Sequence, residues 1–388
     1  MAVLSKRITK VTPSLTLSIT AKAKALKAQG IDVISLSAGE PDFDTPDFIK
    51  EAAIEALRKG MTKYTPAEGT LELRKAICEK LKRDQGLAYA PDQIVVSTGA
   101  KHSLFNLFQV LLNEGDEVLI PSPYWLSYPE MVTLSGGRSV FIETLDAGEF
   151  KITPRQLEKG ITSKTKILVL NSPSNPTGAV YRKSELEGLA DTLLKYPKVW
   201  IVSDEIYEKL IFGGEPHVSI ASLHPGIAKR TLLVNGHSKA YAMTGCRIGY
   251  SGCPKEIAEA ASTLQSHSTS NPTSFAQAGA LVALEKGEAE AKRMCQIFEK
   301  RRDLFLAELK KIPKIKVFPP QGAFYAFVNI EATGLDSIDL AERLLEEARV
   351  AVVPGKVFGS DRHIRLSFAC SEKDLLESSR RIREWMEK

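Results

Sequence analysis

Short apolar runs rich in β-branched residues alternate with longer helical patterns over the first three quarters of the chain. Continuous apolar character, as in Ile167–Val169, indicates strands buried on both faces of a mostly parallel sheet. We expect helices such as His102–Leu112 and Lys183–Leu194 to cover that sheet. The pattern therefore predicts an α/β fold. The predicted strands are Ile94–Ser97, Val118–Ile120, Lys166–Leu170, Val199–Ser203, Thr231–Val234 and Ile248–Ser251.

The pattern changes near Pro272 and indicates a second, smaller α+β domain. A chain of 388 residues exceeds the usual size of a single core. The helix candidate Ser14–Gln29 and the following Ile31–Leu36 could join either domain. We assign residues 1–45 to an N-terminal arm and part of the small domain, 46–285 to the large domain, and 286–388 to the small domain. The elements predicted after Pro272 are helices Ser274–Lys286 and Glu288–Lys310 and strands Phe324–Ile330, Val350–Val353 and Ile364–Phe368.

Composition is that of an ordinary globular protein, with 43% hydrophobic and 26% charged residues. The net charge of +5 is spread along the chain, so we expect neither a nucleic-acid nor a membrane partner. Five cysteines without zinc-binding spacing suggest reduced thiols and no metal site. The sequence shows neither a signal peptide nor a long apolar span, so we expect a cytoplasmic protein.

Polar residues follow the predicted strands at the point where each strand ends. In doubly wound sheets the ligand binds beyond the carboxyl ends of the strands. Asp204 ends a strongly apolar strand, where an unpaired carboxylate would be costly unless it met a cation. The segments at these ends are Thr98–Lys101, Pro121–Trp125, Asn171–Gly178, Asp204–Tyr207 and Ser238–Lys239.

Four motifs in order give the sequence a specific resemblance. They are S-x-S-A-G-E-P-D-F at 35–43, N-x-P-x-N-P-T-G at 171–178, S-D-E-x-Y at 203–207 and S-K-x-x-x-x-x-G-x-R-x-G at 238–249. Together they resemble the class I aminotransferase family of fold type I pyridoxal-5′-phosphate (PLP) enzymes. The resemblance covers essentially the whole chain. The local sequence at 14–16 and 101–106 is most similar to that of the bacterial aspartate aminotransferase subgroup (Ib).

The resemblance implies roles for the residues around the cofactor ring. Lys239 would carry PLP as a Schiff base and then act as the catalytic base. Asp204 would face the pyridine nitrogen and keep it protonated. Tyr207 and Asn175 would hydrogen-bond the phenolate oxygen and lower the imine pKa, and Trp125 would stack on the ring. Taken alone, Asn175-Pro176 could be a turn, and Trp125 could be a core or interface anchor.

A second set of residues would hold the cofactor phosphate. Gly99, Ala100 and Lys101 lie between a predicted strand and helix, where backbone N–H groups and the positive helix end would face it. A tight turn is the alternative. Ser238 and Arg247 would contribute from the lysine motif. Tyr64 resembles a tyrosine that reaches the phosphate of the neighbouring subunit, which implies a homodimer with shared active sites.

The substrate would be held by its carboxylates. Arg365 lies in a late apolar strand and would pair with the α-carboxylate, with a structural salt bridge as the alternative. The resemblance implies that Lys101, helped by Ser14 and Thr16, binds the distal carboxylate; alternatively, Lys101 is a solvated helix residue. Gly39 would let backbone approach the substrate, which Trp125 and Asn175 would also contact.

The implied activity is ping-pong transamination between aspartate and 2-oxoglutarate. Alternatives on the same fold are an aromatic amino acid aminotransferase, a glutamate/aspartate-prephenate aminotransferase, or β-elimination. A regulator that senses PLP or an amino acid would carry an added DNA-binding segment. We do not expect one, because the resemblance starts close to the first residue of this chain.

Overall fold

The computed structural model describes residues 4–13 and 15–388, without the side chains of residues 15–17 and 20. Its strands are β1 (Ile34–Ser35), β2 (Ile94–Thr98), β3 (Glu117–Ser122), β4 (Arg138–Glu143), β5 (Thr165–Asn171), β6 (Trp200–Asp204), β7 (Thr231–Gly236), β8 (Ile248–Gly252), β9 (Lys316–Val317), β10 (Tyr325–Asn329), β11 (Val350–Ala351), β12 (Val353–Pro354) and β13 (His363–Ser367).

The helices alternate with these strands. They are α1 (Leu15–Ala28), α2 (Asp47–Arg58), α3 (Leu71–Gln85), α4 (Ala100–Leu111), α5 (Ser127–Leu134), α6 (Pro154–Gly160), α7 (Lys183–Leu194), α8 (Pro225–Ala228), α9 (Lys255–Ser266), α10 (Ser274–Lys286), α11 (Glu288–Leu309), α12 (Ser337–Glu346) and α13 (Glu372–Met386). Among the described residues, no helix combines the length and apolar character needed to cross a bilayer.

A seven-stranded sheet forms the centre of the fold, in the order β2-β8-β7-β6-β5-β3-β4. All neighbours pair in parallel except β8, which runs antiparallel to both β2 and β7. Its inner strands are buried on both faces, and Ile167, Leu168 and Ile201 are fully inaccessible. The predicted α/β fold with a mostly parallel sheet is therefore confirmed.

Two smaller sheets gather the C-terminal strands and the N-terminal strand. A four-stranded antiparallel sheet has the order β12-β13-β10-β9, and β1 pairs in parallel with β11 through Ile34 and Val350. Strand β1 therefore contacts C-terminal elements rather than the central sheet.

Several predicted boundaries are confirmed, and others differ for a physical reason. Helices α7 and α10 have the predicted limits. The stretch Ile31–Leu36 forms a strand only at β1, and Val350–Val353 divides into β11 and β12, which pair in different sheets. Strand β4 was not predicted. It lies at the edge of the sheet, and its apolar residues Val140 and Phe141 are only partly buried or exposed.

Candidate active site

The carboxyl edge of the central sheet brings the polar strand ends together. Asn171 ends β5 and lies in register with Asp204, the last residue of β6. The Asn171 side-chain amide donates a hydrogen bond to the Asp204 carbonyl over 3.0 Å. Lys239 follows β7 by three residues. The predicted carboxylate and lysine therefore share one edge, as parallel strands require.

Lys239 is half-buried and its amine faces this edge. Its Nζ atom donates a hydrogen bond to the Gly39 carbonyl over 2.5 Å, and it lies 5.8 Å from the ring centroids of both Tyr207 and Phe324. Desolvation lowers the pKa of Lys239 to about 8, and the nearby positive charge of Arg365 adds to this shift. A substantial fraction of the amine is thus neutral near pH 8, as a nucleophile or base requires.

Asp204 is buried and accepts a hydrogen bond from a neutral group. The Tyr128 hydroxyl donates to Asp204 Oδ2 over 2.6 Å, and the Ile206 backbone N–H donates to Oδ1 over 3.3 Å. Burial raises the pKa of the Asp204 carboxyl to about 6, although the hydrogen bond from Tyr128 opposes that change. A nearby cationic ligand group would stabilise the carboxylate in this environment.

Arg365 lies in β13 with only 2% of its surface exposed. Its Nη1 donates to Asn175 Oδ1 and its Nη2 donates to the Ser37 carbonyl, each over 3.0 Å. Within residues 4–13 and 15–388, no carboxylate forms an ion pair with this guanidinium, and its buried Nε has no hydrogen-bond partner. The structural salt bridge considered as the alternative is therefore not found there. An unpaired arginine with N–H groups to spare is suited to binding an anionic ligand.

Tyr207 is buried close to Lys239 and contacts a second tyrosine. The Tyr207 and Tyr325 hydroxyl oxygens lie 2.9 Å apart. The Tyr325 ring in turn lies beneath the Arg365 guanidinium, whose carbon is 4.3 Å from the ring centroid. Two phenols and an arginine thus form a continuous set of contacts beside the lysine.

The turn between β2 and α4 packs against the turn before β8. A side chain at Gly99 would clash with the Arg247 guanidinium, and one at Gly249 would clash with the backbone of Ala100. Gly99 has a φ of 83°, which glycine adopts without strain. Arg247 remains exposed, and its Nη1 donates to the Thr244 carbonyl over 2.9 Å. A cationic side chain and a helix N-terminus therefore meet in a close backbone cradle.

Lys101 and Trp125 are brought together at the mouth of the site. The Lys101 ammonium lies 4.8 Å from the centroid of the Trp125 ring. Desolvation lowers the pKa of Lys101, and the charge of Arg247 adds to the effect. Trp125 also makes an edge contact with Tyr128, at 5.3 Å between centroids. The lysine contacts an aromatic face while staying accessible to solvent.

Four other residues were predicted to belong to the site: Ser14, Thr16, Tyr64 and Ser238. Ser14 lies outside the described residues, as does the side chain of Thr16. Tyr64 is described and is 89% exposed. Ser238 is buried next to Lys239.

A buried polar network lies behind the segment that carries Asp204 and Tyr207. Glu205 accepts hydrogen bonds from Ser203 (2.8 Å) and Ser219 (2.6 Å), and His217 lies 2.9 Å away. Although burial opposes the change, the charge of His217 and these hydrogen bonds lower the pKa of Glu205.

The same network contains one set of potential metal ligands. Atoms of Glu205, Glu208 and His217 lie within 4.8 Å of one another. However, Lys80 forms an ion pair with Glu208, and Gln85 donates to both carboxylates. Lys80 thus neutralises Glu208, and the hydrogen bonds from Ser203, Ser219 and Gln85 satisfy Glu205. Both carboxylates already have partners within the protein.

Tyr128, Tyr325 and the Ser37 carbonyl also lie at the site and were not predicted from the sequence. Tyr128 follows Trp125 by three residues, and this spacing could have placed both rings on one face of a helical turn. Tyr325 opens an apolar strand, where a buried hydroxyl must find a partner. No sequence signal identifies a particular backbone carbonyl.

Comparison with known proteins gives consistent results over the whole chain. The sequence profile of the family described as Aminotransferase class I and II matches residues 31–382. An aspartate aminotransferase of Bacillus subtilis is 50% identical, with 99% of each chain covered. A probable aspartate/prephenate aminotransferase of Aquifex aeolicus is 48% identical, covering 99% of this chain and 98% of its own.

A solved structure shows the same architecture. The aspartate aminotransferase from Thermus thermophilus with maleate superimposes with a TM-score of 0.95 and 45% sequence identity. The match covers 99% of this chain and 100% of that one. The chain therefore belongs to the class I and II aminotransferase family.

Proposed function

We propose that this protein is a PLP-dependent aspartate aminotransferase that works by ping-pong transfer to 2-oxoglutarate. The observation that carries the proposal is the convergence of a lysine with a lowered pKa, a buried carboxylate and an arginine that has no ion-pair partner in the described part of the chain. These are Lys239, Asp204 and Arg365. The names of the relatives support the choice of aspartate.

The residues at the sheet edge fit this cofactor. The cradle of Gly99, Ala100 and Gly249 admits no added side chain and would present backbone N–H groups of α4 to a phosphate. Arg247, Ser238 and Lys101 would add charge and hydrogen bonds to the same group. Trp125 would cover one face of the ring.

Bound PLP supplies an aldehyde that condenses with amines and a ring that accepts electrons from the substrate Cα. Asp204 would hold a proton on the ring nitrogen, and Tyr128 would orient its carboxylate. Tyr207 would donate a hydrogen bond to the phenolate oxygen. Because Asn175 Oδ1 accepts from Arg365, its Nδ2 remains a donor for the same oxygen.

Lys239 would move the proton of the reaction. As a free neutral amine, its Nζ would accept the proton from the substrate Cα and later donate it back to a reacting carbon. The lowered pKa of Lys239 favours the neutral amine that this step needs.

Arg365 would bind the α-carboxylate of the substrate. Lys101, with Ser14 and Thr16, would bind the distal carboxylate, and Gly39 would allow the close approach of backbone. Lys101 already sits over Trp125, at one side of the site.

We further propose a cytoplasmic homodimer in which Tyr64 reaches the phosphate of the partner subunit. The exposure of Tyr64 is compatible with a contact outside its own chain. All five cysteines are free, which fits a reducing compartment. We retain the division into residues 1–45, 46–285 and 286–388 as the proposed domain organisation.

Covalent attachment of PLP tests the central claim. The purified protein is reduced with borohydride and the modified peptide is identified by mass spectrometry. We expect the label on Lys239, its loss together with turnover in Lys239→Ala, and its retention in the matched control Lys101→Ala. Normal turnover by Lys239→Ala would refute the assignment.

A substrate panel tests the preference for aspartate. In Lys101→Ala we expect a selective loss of kcat/KM for aspartate over phenylalanine, since only aspartate carries a distal carboxylate. Equal losses would oppose the proposed role. Because one relative is named a probable aspartate/prephenate aminotransferase, prephenate is the second acceptor to assay.

A further inference from the structure

Tyr325 lies where the proposed substrate arginine and the proposed cofactor residues meet. It is completely buried at the start of β10, opposite Ser367 of β13. Its ring contacts the Arg365 guanidinium at 4.3 Å, and its hydroxyl lies 2.9 Å from that of Tyr207. One side chain therefore contacts both groups.

The Tyr325 hydroxyl also lies against the loop that accepts the lysine hydrogen bond. An added Cβ at Gly39 would approach this hydroxyl to 3.7 Å, and the Gly39 carbonyl accepts from Lys239. The ring is held in place by Phe324, at 4.7 Å between centroids. The position of the hydroxyl is thus fixed by packing on several sides.

A phenol pair must orient its two protons. The Tyr207–Tyr325 contact allows either hydroxyl to donate. A phenol has a single O–H donor. If Tyr207 uses its proton to bind a ligand oxygen, its own oxygen can only accept a hydrogen bond in the contact with Tyr325, so Tyr325 must be the donor there. Hydrogen bonds in such a chain strengthen one another in a buried site.

We propose that Tyr325 is a positioning residue that directs the Tyr207 hydroxyl toward the cofactor and holds the Arg365 guanidinium in place for the substrate carboxylate. This inference rests on the proposed function. It assigns the hydroxyl and the ring of Tyr325 to separate tasks, which substitutions can separate.

Two substitutions divide the side chain. Tyr325→Phe keeps the ring beneath Arg365 and removes the hydroxyl, whereas Tyr325→Leu removes both. Tyr207→Phe and the double variant Tyr207→Phe/Tyr325→Phe complete a double-mutant cycle. Tyr250→Phe is the control, because Tyr250 is also buried but belongs to a different hydrophobic cluster.

The first measurement is the pH titration of the visible absorbance of the lysine-bound cofactor. Loss of a donor to the phenolate raises the pKa of the imine nitrogen. We expect Tyr325→Phe to raise it by about 0.5 to 1 pH unit, the value of one hydrogen bond. Tyr207→Phe should raise it more, the double variant should match Tyr207→Phe, and Tyr250→Phe should match wild type.

The second measurement is the dissociation constant of maleate, a dicarboxylate that cannot be transaminated. We expect Tyr325→Phe to bind it within about twofold of wild type, and Tyr325→Leu to bind it about fivefold more weakly through the lost cation–π contact. If both variants bound maleate equally weakly, the claim that the Tyr325 ring holds Arg365 in place would be overturned.

The outcomes separate the two claims. A wild-type protein that captures no PLP on Lys239 would overturn the proposed function. Alternatively, wild-type protein captures PLP on Lys239 while the imine pKa of Tyr325→Phe equals that of wild type. That result would overturn only the role of Tyr325, as would full additivity of the pKa shifts of Tyr325→Phe and Tyr207→Phe.

Discussion

Arg365→Lys tests whether the buried guanidinium binds a carboxylate. A guanidinium has five N–H donors, of which one is donated to Asn175 and one to the Ser37 carbonyl. Five minus two leaves three N–H groups, enough for a two-pronged carboxylate pairing. A lysine ammonium has three donors, so the same two acceptors would leave one.

The substitution keeps the charge and removes one charge-assisted hydrogen bond to the ligand. Such a bond contributes about 1.5 to 3 kcal/mol, which corresponds to roughly 10- to 150-fold in affinity. We therefore expect the dissociation constant of maleate, measured by absorbance titration of the PLP-loaded protein, to rise by that factor. The kcat/KM for aspartate should fall at least as far.

Arg230→Lys is the matched control. Arg230 is also buried, but its guanidinium donates to four backbone carbonyls: those of Leu193, Tyr196, Val199 and Gly226. We expect this variant to unfold at lower urea concentration and to bind maleate normally. Binding of maleate within twofold of wild type by Arg365→Lys would refute the carboxylate role.

Three further predictions concern the buried charges. In cofactor-free protein, Asp204 has a pKa of about 6 against an ordinary 3.8. Because the folded state favours the protonated carboxyl, the free energy of unfolding of wild type falls by about 3 kcal/mol as pH rises from about 4 to 6. Asp204→Asn should thus be more stable than wild type in urea at pH 7.5 but not at pH 4, and equal stability at pH 7.5 would contradict this. The rate of covalent PLP capture by Lys239, followed by stopped-flow absorbance, should rise with pH around a midpoint near 8; a midpoint above 10 would exclude a lowered pKa. Glu205→Gln should lower the free energy of unfolding by about 3 kcal/mol or more, because a buried acceptor is replaced partly by a donor, whereas the exposed Glu288→Gln should change it by less than about 1 kcal/mol.

The sequence predicts those parts of the fold that depend on local periodicity. Helix α7 has the predicted limits because its apolar positions repeat at helical spacing between polar ends. Strand β4 was not predicted, since it lies at the sheet edge and only Ile142 of its apolar residues is buried. The local pattern of apolar residues therefore predicts buried helices and strands better than strands at the edge of a sheet.

The candidate site divides in the same way. Motif residues such as Asp204 were identified because they lie at the ends of apolar strands and within motifs that resemble a known family. Tyr128 and Tyr325 were not, since their contacts with Asp204 and Tyr207 join residues 76 and 118 positions apart. Only the folded chain brings such pairs together, so side chains that orient the motif residues require a structure.

The charges of the site also explain how substrate binding could be linked to the packing of distant segments. Arg365 in β13 donates to Ser37 near the N-terminus and to Asn175 after β5, so three separate parts of the chain meet at one guanidinium. A buried cation without a counter-ion disfavours that packing, because desolvation is uncompensated. A bound carboxylate would supply the missing charge and stabilise all three segments together. Substrate should therefore protect them jointly from hydrogen exchange, and protection confined to β13 would refute this linkage.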